Sequence, residues 1–234
     1  MRADVVALIP AYRAATTIAD VVSGAGQYLE RVVVVDDGSP DATAARAEAA
    51  GATVIRHPQN AGKGAALLTG LRALAADGVR RVLTLDADGQ HLPDQIPVLL
   101  AASDATPDAI VVGVRRKEGQ EIHAVNRLGN WVADTFLEAI AGRTLPDTQS
   151  GFRIYPLPAT LELGAVGTRY DFETEILLRA ARAGLDVVGT PTRVYYPPVA
   201  ERVSHFDPWA DTLRIVGTVL RVLTDPLWRS IGFG

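Results

Sequence analysis

The chain has 234 residues, 48% of them hydrophobic and 21% charged, with 23 basic against 27 acidic side chains and a net charge of -4. That composition supplies the core of one large α/β domain, carries no signature of disorder, and gives no global electrostatic reason to bind nucleic acid. The chain has no cysteine, which excludes disulfides, thiolate metal sites, iron–sulfur clusters and cysteine nucleophiles and is compatible with a reducing, cytoplasmic setting.

In chain order, Asp4 to Ile9 predicts a first strand, so close to Met1 that it leaves no room for a secretory signal. Thr17 is placed to cap a helix running from Ile18 to between Gly24 and Tyr28. Arg31 to Val35 reads as a second strand that ends at Asp36-Asp37-Gly38-Ser39, and Asp41 to Ala50 as a helix stopped by Gly51. Ala52 to Arg56 predicts a third strand, Gly64 to Ala76 a helix with Gly78 just past its end, and Arg81 to Leu85 a fourth strand that ends at Asp86. Ala109 to Val112 follows as a fifth strand. The last third is less regular: a long helix over His123 to Ala141, a short strand over Phe152 to Tyr155, a helix over Glu173 to Ala183 stopped by Gly184, and strands Val187 to Thr190 and Arg193 to Tyr196 separated by Pro191. Strands apolar on both faces that alternate with helices predict a mostly parallel sheet covered on both sides.

No repeat or low-complexity linker divides the chain, so residues 1–234 read as one domain. No stretch approaches the roughly 18 apolar residues that a membrane span needs, because Arg214 and Arg221 confine the most apolar late run to Ile215 to Leu220. The terminal segment, about 207–228, is amphipathic instead. Trp209, Leu213, Val216, Leu220, Leu223 and Leu227 recur at alternating spacings of four and three, opposite Asp211, Arg214, Thr218, Arg221 and Asp225. That apolar stripe is expected to pack on its own domain or a second subunit, or to lie on a membrane surface.

In an open α/β sheet, ligands bind beyond the carboxyl ends of the strands. Three strand ends here carry turn residues or acids: Pro10 after the first, Asp36 and Asp37 after the second, Asp86 and Asp88 after the fourth. Residues two apart in extended chain point to one side, so Asp86 and Asp88 present two carboxylates together. Such a pair repels unless a cation lies between them, and hard oxygen ligands suit Mg2+ or Mn2+. Gln90 continues the spacing with an amide oxygen. Asp36 and Asp37 can accept from ribose hydroxyls or base N–H groups, while Ser39 or Asp41 caps the following helix. Asn60-Ala61-Gly62-Lys63-Gly64 opens a helix as a Gly-rich, Lys-bearing turn able to hold phosphate. It is neither a Walker A loop nor a dinucleotide fingerprint. Arg115, Arg116 and Lys117, with Arg127 further on, form a cationic cluster suited to phosphate. His205, in a polar insertion before the terminal helix, is a candidate ligand for metal or phosphate.

Taken together, Ile9-Pro10-Ala11-Tyr12, the VVVVDDGSPD run at 32–41, Asn60 to Gly64 and LDADGQH at 85–91 resemble glycosyltransferase family 2, in that family's order and spacing. Val112-Gly113-Val114-Arg115, the DTQSGFR run at 147–153 and Tyr170-Asp171-Phe172-Glu173-Thr174-Glu175 resemble its polyprenyl-phosphate sugar synthases, the dolichyl-phosphate mannose and glucose synthases among them. The resemblance implies the GT-A fold, a Rossmann-like α/β architecture. It implies a nucleotide-sugar half at about 1–115, an acceptor half at about 116–206, and the terminal helix beyond. It assigns Pro10, Ala11, Tyr12, Asp36, Asp37, Lys63, Asp86 and Ala87 to the nucleotide. Asp86, Asp88, Gln90 and His205 would hold the metal and diphosphate, and Arg115 and Arg127 the acceptor phosphate. Two departures stand out: Arg13-Ala14 follows Tyr12 where the family often has Asn-Glu, and the segment around His205 with its helix replaces the transmembrane tail of some relatives.

The implied reaction transfers a sugar from a nucleoside diphosphate sugar, of the UDP-glucose or GDP-mannose type, to an acceptor with inversion at the anomeric carbon. A polyprenyl phosphate is already ionised and needs only cationic positioning; a hydroxyl acceptor, on a saccharide or small metabolite, needs a general base, for which Asp171 and Glu173 are the candidates. The expected partners are the donor, a lipid-phosphate acceptor, the inner face of the cell membrane and a second copy of the chain, with no nucleic acid. A sugar-phosphate nucleotidyltransferase is disfavoured because Pro10-Ala11-Tyr12-Arg13 stands where that class has a Gly-rich basic loop. A non-catalytic sugar-nucleotide-binding module is disfavoured by the full set Asp86, Asp88, Gln90 and His205.

Overall fold

A computed structural model of the chain describes residues 1–115, 145–195 and 208–225. The predicted helix at 123–141, Arg127 and His205 lie outside the described residues. β1 (Val5–Ala11), β2 (Val32–Asp36), β3 (Thr53–Arg56), β4 (Arg81–Thr84), β5 (Ile110–Arg115), β6 (Arg153–Pro156) and β7 (Val187–Thr192) form one sheet in the order β3-β2-β1-β4-β6-β5-β7. Every pairing is parallel except those of β6, which runs antiparallel to β4 and β5. The predicted mostly parallel sheet is therefore present. Of the predicted strand at Arg193 to Tyr196, the described residues 193–195 form none: β7 runs through Pro191, and beyond it Val194 makes an isolated bridge to His91.

The side chains of β1 explain the layering. All of its residues are buried. The period of two sends Val5, Ala7, Ile9 and Ala11 to one face and Val6 and Leu8 to the other. The first face meets α1 (Ile18–Gly26) and α4 (Ile96–Ala105). The second meets α3 (Lys63–Ala76), α6 (Asp171–Ala183) and α7 (Pro208–Thr224). α2 (Thr43–Ala49) flanks β3, and the short α5 (Ala159–Glu162) follows β6. A strand buried on both faces cannot use the alternating polar pattern of a half-exposed one, hence the continuous apolar run.

Two capping expectations give way to longer-range bonds. Thr17 makes no cap on α1; its hydroxyl donates to the Ala87 carbonyl at 2.6 Å. Ser39 does not cap α2 either, but accepts from the Arg13 N–H at 3.0 Å, while Asp41 accepts from the Thr43 N–H and hydroxyl. Thr17 and Ser39 thus serve loops at neighbouring strand ends, while Asp41 takes the N–H of the first residue of α2, the local role expected of Ser39 or Asp41.

α7 is amphipathic but turned. Thr218, Val219 and Val222 are buried, and Ile215 and Leu223 pack on the core. Leu213, Val216 and Leu220 of the predicted apolar stripe are 70%, 50% and 57% exposed. The helix docks through the face that carries Ile215, Val219 and Val222 with Thr218, beside the predicted stripe, while Arg214 and Arg221 of the predicted polar side stay exposed. The Thr218 hydroxyl donates to Asp171 at 3.0 Å, and Arg179 donates to Asp225 at 3.2 Å. Those bonds add to a docked face that is itself largely apolar, so the segment offers two apolar stripes and the packing selects one.

Candidate active site

Because β1, β2 and β4 are parallel, their carboxyl ends open on one edge of the sheet, where Ala11 stands opposite Asp36. Asp86 and Asp88 lie at the exit of β4. The Asp86 N–H donates to His91 Nδ1 at 3.1 Å, and Asp88 closes the turn by accepting from the Gln90 N–H at 2.9 Å. The Gln90 carbonyl accepts from the Tyr195 N–H. Ala87 is buried between the two acids, its carbonyl taken by Thr17. His91 is buried and stacks on Phe152 with ring centroids 5.0 Å apart.

The charges here are set against one another. Lys63 Nζ, on the first residue of α3, lies 2.5 Å from Asp86 and 2.9 Å from Glu173. Burial alone would lower the Lys63 pKa, but the two carboxylates more than offset it and raise it. Burial would likewise raise the Asp86 pKa, and the Lys63 ammonium holds it below the usual range. Asp88 goes the other way: its recessed carboxyl and the neighbouring Asp86 push its pKa up. Burial drives the His91 pKa down, consistent with a neutral ring whose Nδ1 accepts.

Two glycines make this approach of chains feasible. Gly62, at φ +103, turns the chain into α3, and a Cβ there would meet the Thr168 carbonyl at 2.3 Å. Gly151 presses against both acids: a Cβ there would lie 2.7 and 2.8 Å from the Asp86 oxygens and 2.9 Å from Glu173 Oε1. The Thr84 hydroxyl fixes that backbone by donating to the Gly151 carbonyl at 2.9 Å.

At the exit of β2, buried Asp36 accepts from the Ser39 N–H at 3.2 Å. Asp37 is spent on its neighbours: it accepts from the Ala61 and Gly62 N–H groups at 2.9 and 2.7 Å and from His57 Nδ1 at 2.7 Å. At the exit of β1, Pro10 and Ala11 are buried within the strand, while Tyr12 is half-buried with the Arg13 guanidinium over its ring. Arg13 has a φ of 52°, a conformation uncommon outside glycine.

The 147–153 segment is organised by two arginines. Arg115 grips Asp147 through Nε at 2.8 Å, through a terminal nitrogen at 2.7 Å, and through its own N–H at 3.1 Å. Asp147 is buried enough to raise its pKa, yet Arg115 holds it below the usual carboxylate range. Arg153 is wholly buried and donates to the carbonyls of Thr148, Ser150 and Glu173 and to the Tyr155 hydroxyl. It thereby pins the Gly151 turn to the start of α6.

The two predicted base candidates are separated by the fold. Glu173 faces Lys63 and Asp86, whereas Asp171 accepts from the Arg169 N–H at 2.9 Å and from Thr218, holding α7. The structure thus brings together Asp86, Asp88, Lys63 and Glu173, with Asp36 and Tyr12 at the adjacent strand ends. It adds His91, Asp147, Arg153 and His57, to which residue reasoning gave no role. The DTQSGFR and LDADGQH runs contained three of them, but only the long-range bonds show what they do.

A sequence model of glycosyl transferase family 2 matches residues 6–161. The chain belongs to that family. Among its relatives, it is 31% identical to the undecaprenyl-phosphate mannosyltransferase of Micrococcus luteus, over 68% of this chain and 70% of that one. It is 28% identical to the UDP-N-acetylglucosamine–dolichyl-phosphate N-acetylglucosaminyltransferase of Methanococcus voltae, over 81% and 84%. In fold it is similar to the glucosyl-3-phosphoglycerate synthase of Mycobacterium tuberculosis, with a TM-score of 0.71 at 23% identity over 95% of this chain and 81% of that one. The family 2 chain is accordingly a glycosyltransferase with the GT-A architecture, and the nucleotidyltransferase and binding-module readings fall away.

Proposed function

We propose that this glycosyltransferase moves a hexose from a nucleoside diphosphate sugar, of the UDP-glucose or GDP-mannose type, to a polyprenyl phosphate, with inversion and with the help of a divalent cation. The observation that carries the reading is the meeting of Asp86, Asp88 and Lys63 at the β4 exit, with β1 between it and Asp36 at the end of β2. Two relatives named for polyprenyl-phosphate acceptors support the acceptor class.

The residues fit a hard cation. Asp86 and Asp88 offer carboxylate oxygens, and the raised pKa of Asp88 beside Asp86 marks a repulsion that a cation would relieve. Among the described residues no group of three or more His, Cys, Asp or Glu side chains could hold a metal. The protein's share is then the two carboxylates with Gln90, and His205 from outside the described residues. Mg2+ or Mn2+ accepts such a set when diphosphate oxygens complete the shell. When bound, the ion would neutralise charge on the departing diphosphate. Lys63 contributes a fixed cation to the same place. Asp36 and Tyr12 would hold the nucleoside, and Asp37 acts by holding the loop that carries Lys63.

Neither base candidate is needed for a phosphate acceptor, which arrives ionised. Arg115 and Arg127 are its proposed contacts, Arg115 bringing Asp147 with it. The exposed Leu213, Val216 and Leu220, with exposed Arg214 and Arg221 alongside, would rest on the inner face of the cell membrane where a lipid acceptor lies. No helix among the described residues is long and apolar enough to cross a membrane. A second reading, a hydroxyl acceptor with Glu173 as base, is favoured by the position of Glu173 against Gly151 and opposite Asp86.

A donor screen tests the reading. UDP-glucose, UDP-N-acetylglucosamine, UDP-galactose and GDP-mannose are each offered with Mn2+ and with EDTA, followed by thermal shift and slow hydrolysis. A metal-dependent response to one donor is expected; no response to any, with a short polyprenyl phosphate also present, overturns it. Asp171→Asn and Glu173→Gln then separate the acceptors, since loss of proton abstraction at Glu173 slows transfer to a hydroxyl and not to a phosphate.

A further inference from the structure

We propose that His57 is a positioning residue for donor binding: it locks Asp37 onto the loop that presents Lys63, through a chain of hydrogen bonds that runs from the β2 exit to α3. The proposal rests on the donor reading above for the ligand, but not for the geometry.

His57 lies between two elements. Its Nδ1 is 2.7 Å from Asp37 Oδ1, and its Nε2 is 3.0 Å from the Thr69 hydroxyl on α3. A carboxylate only accepts, so Nδ1 carries the hydrogen, and in the neutral ring Nε2 accepts from Thr69. Asp37 passes the constraint on. Its side chain is 3% exposed, and its two oxygens take the N–H groups of Ala61 and Gly62, the residues that lead directly into Lys63. The backbone of His57 is fixed as well, its N–H donating to the Asp36 carbonyl at 2.9 Å. The side chain therefore has one direction in which to act.

The consequence is preorganisation. The turn at Gly62 has a positive φ and closes against Thr168, and the Ala65 N–H donates to the Thr168 carbonyl at 3.0 Å. A loop gripped on one side by Asp37 and on the other by the 163–170 segment holds the Lys63 ammonium at Asp86 without reordering when a diphosphate arrives. Without His57, Asp37 keeps its two N–H donors but loses the bond that orients its carboxylate and, through the ring, the link to Thr69. The β2 side of the loop's grip is then loosened, and the ordering cost moves to the binding step.

The test uses the full chain and three variants, His57→Phe, His57→Asn and Thr69→Val. An asparagine amide nitrogen overlays Nδ1, so His57→Asn keeps the bond to Asp37 while His57→Phe removes both. Amide hydrogen exchange over residues 59–63 is read first, without ligand. Exchange at Ala61 and Gly62 is expected to rise about tenfold in His57→Phe and by less in Thr69→Val and His57→Asn, each of which loses only the bond to Thr69. The Kd of UDP and of GDP, each with Mn2+, is then measured at a temperature where all variants are folded. For whichever nucleotide wild type binds, His57→Phe is expected to weaken it about tenfold and His57→Asn to restore it, with kcat for slow donor hydrolysis little changed at saturation. Unchanged exchange in His57→Phe overturns the proposal, as does raised exchange with unchanged Kd, or an equal loss in His57→Asn. Should wild type bind neither nucleotide, the donor reading fails, and the exchange data still decide the positioning.

Discussion

The ammonium of Lys63 sits 2.5 Å from the Asp86 carboxylate, joining the first turn of α3 to the end of β4. The two residues share one electrostatic site, so their effects should not add. Asp86→Asn and Lys63→Met are each expected to lower transfer by about 100-fold or more, the order seen when a charge-stabilising group is removed. The double variant should be little worse than either single one. Initial rates on the responding donor check this; additive losses would show that the pair does not act as a unit.

Gly151 is the tightest point of the site. In Gly151→Ala the new methyl must displace Asp86 or Glu173, which lie within 2.9 Å of it. Overpacking of this kind costs about 1–3 kcal/mol. We expect a loss of that order in urea unfolding and a fall in donor hydrolysis larger than the stability loss explains. A variant as active as wild type would mean that the acids have room to move.

The Arg115–Asp147 pair makes stability depend on pH in the acid range. Asp147 is held below its ordinary value by Arg115, so in the folded state it resists protonation. Its contribution is present above the unfolded carboxylate pKa of about 3.9 and fades as pH falls through the lower folded value. The stability gap between wild type and Asp147→Asn, from urea melts, should be full at pH 6 and smaller at pH 3.5. A gap that is constant over that range would remove the pair from the account.

Glu175 and Arg179 form a buried ion pair at 2.7 Å, with side chains 0% and 4% exposed. Glu175 also accepts from the Val166 and Gly167 N–H groups, and Arg179 reaches Asp225 on the terminal segment. Breaking a buried pair by removing one partner costs about 3–5 kcal/mol. Arg179→Met should lose that order of stability, and Arg179→Met with Glu175→Gln should lose less. Chemical unfolding measures both, and equal losses would show that the lone carboxylate is not the problem.

On α7, replacing Leu213, Val216 and Leu220 together by serine should leave the melting temperature within a few degrees of wild type, since all three side chains are exposed. The same variant should lose co-sedimentation with vesicles containing phosphatidylglycerol. If wild type does not sediment with them either, the membrane role of this face is refuted.

Much of the fold was legible because parallel, doubly buried strands leave a plain mark. Runs such as Val32 to Val35 have no polar alternation, and each is followed by an Ala-rich helix. The acids at strand ends were legible for the same reason: Asp36 and Asp86 interrupt apolar runs where a parallel sheet exposes its carboxyl edge. The end of the chain was only half legible. The stripe of Leu213, Val216 and Leu220 was open to the chain's own core, a second subunit or a membrane surface, and the core takes Ile215, Val219 and Val222 instead, with Thr218 bonded to Asp171 on α6. Likewise Asp171 and Glu173 look equivalent in sequence, two residues apart at a helix start.

The layered α/β architecture, the family and the acids that line the edge of the sheet are all readable from the residues alone, because each depends on local periodicity and on spacing along the chain. Which of those acids meet is settled by packing. Asp37 accepts from the Ala61 and Gly62 N–H groups, Asp171 accepts from Arg169 and Thr218, and Glu173 joins Lys63 and Asp86. Those outcomes hang on hydrogen bonds between residues far apart in the chain, such as Lys63 with Glu173 and Arg115 with Asp147. A carboxylate's role follows from the donors that reach it, and those donors are chosen by the packing of one element on another.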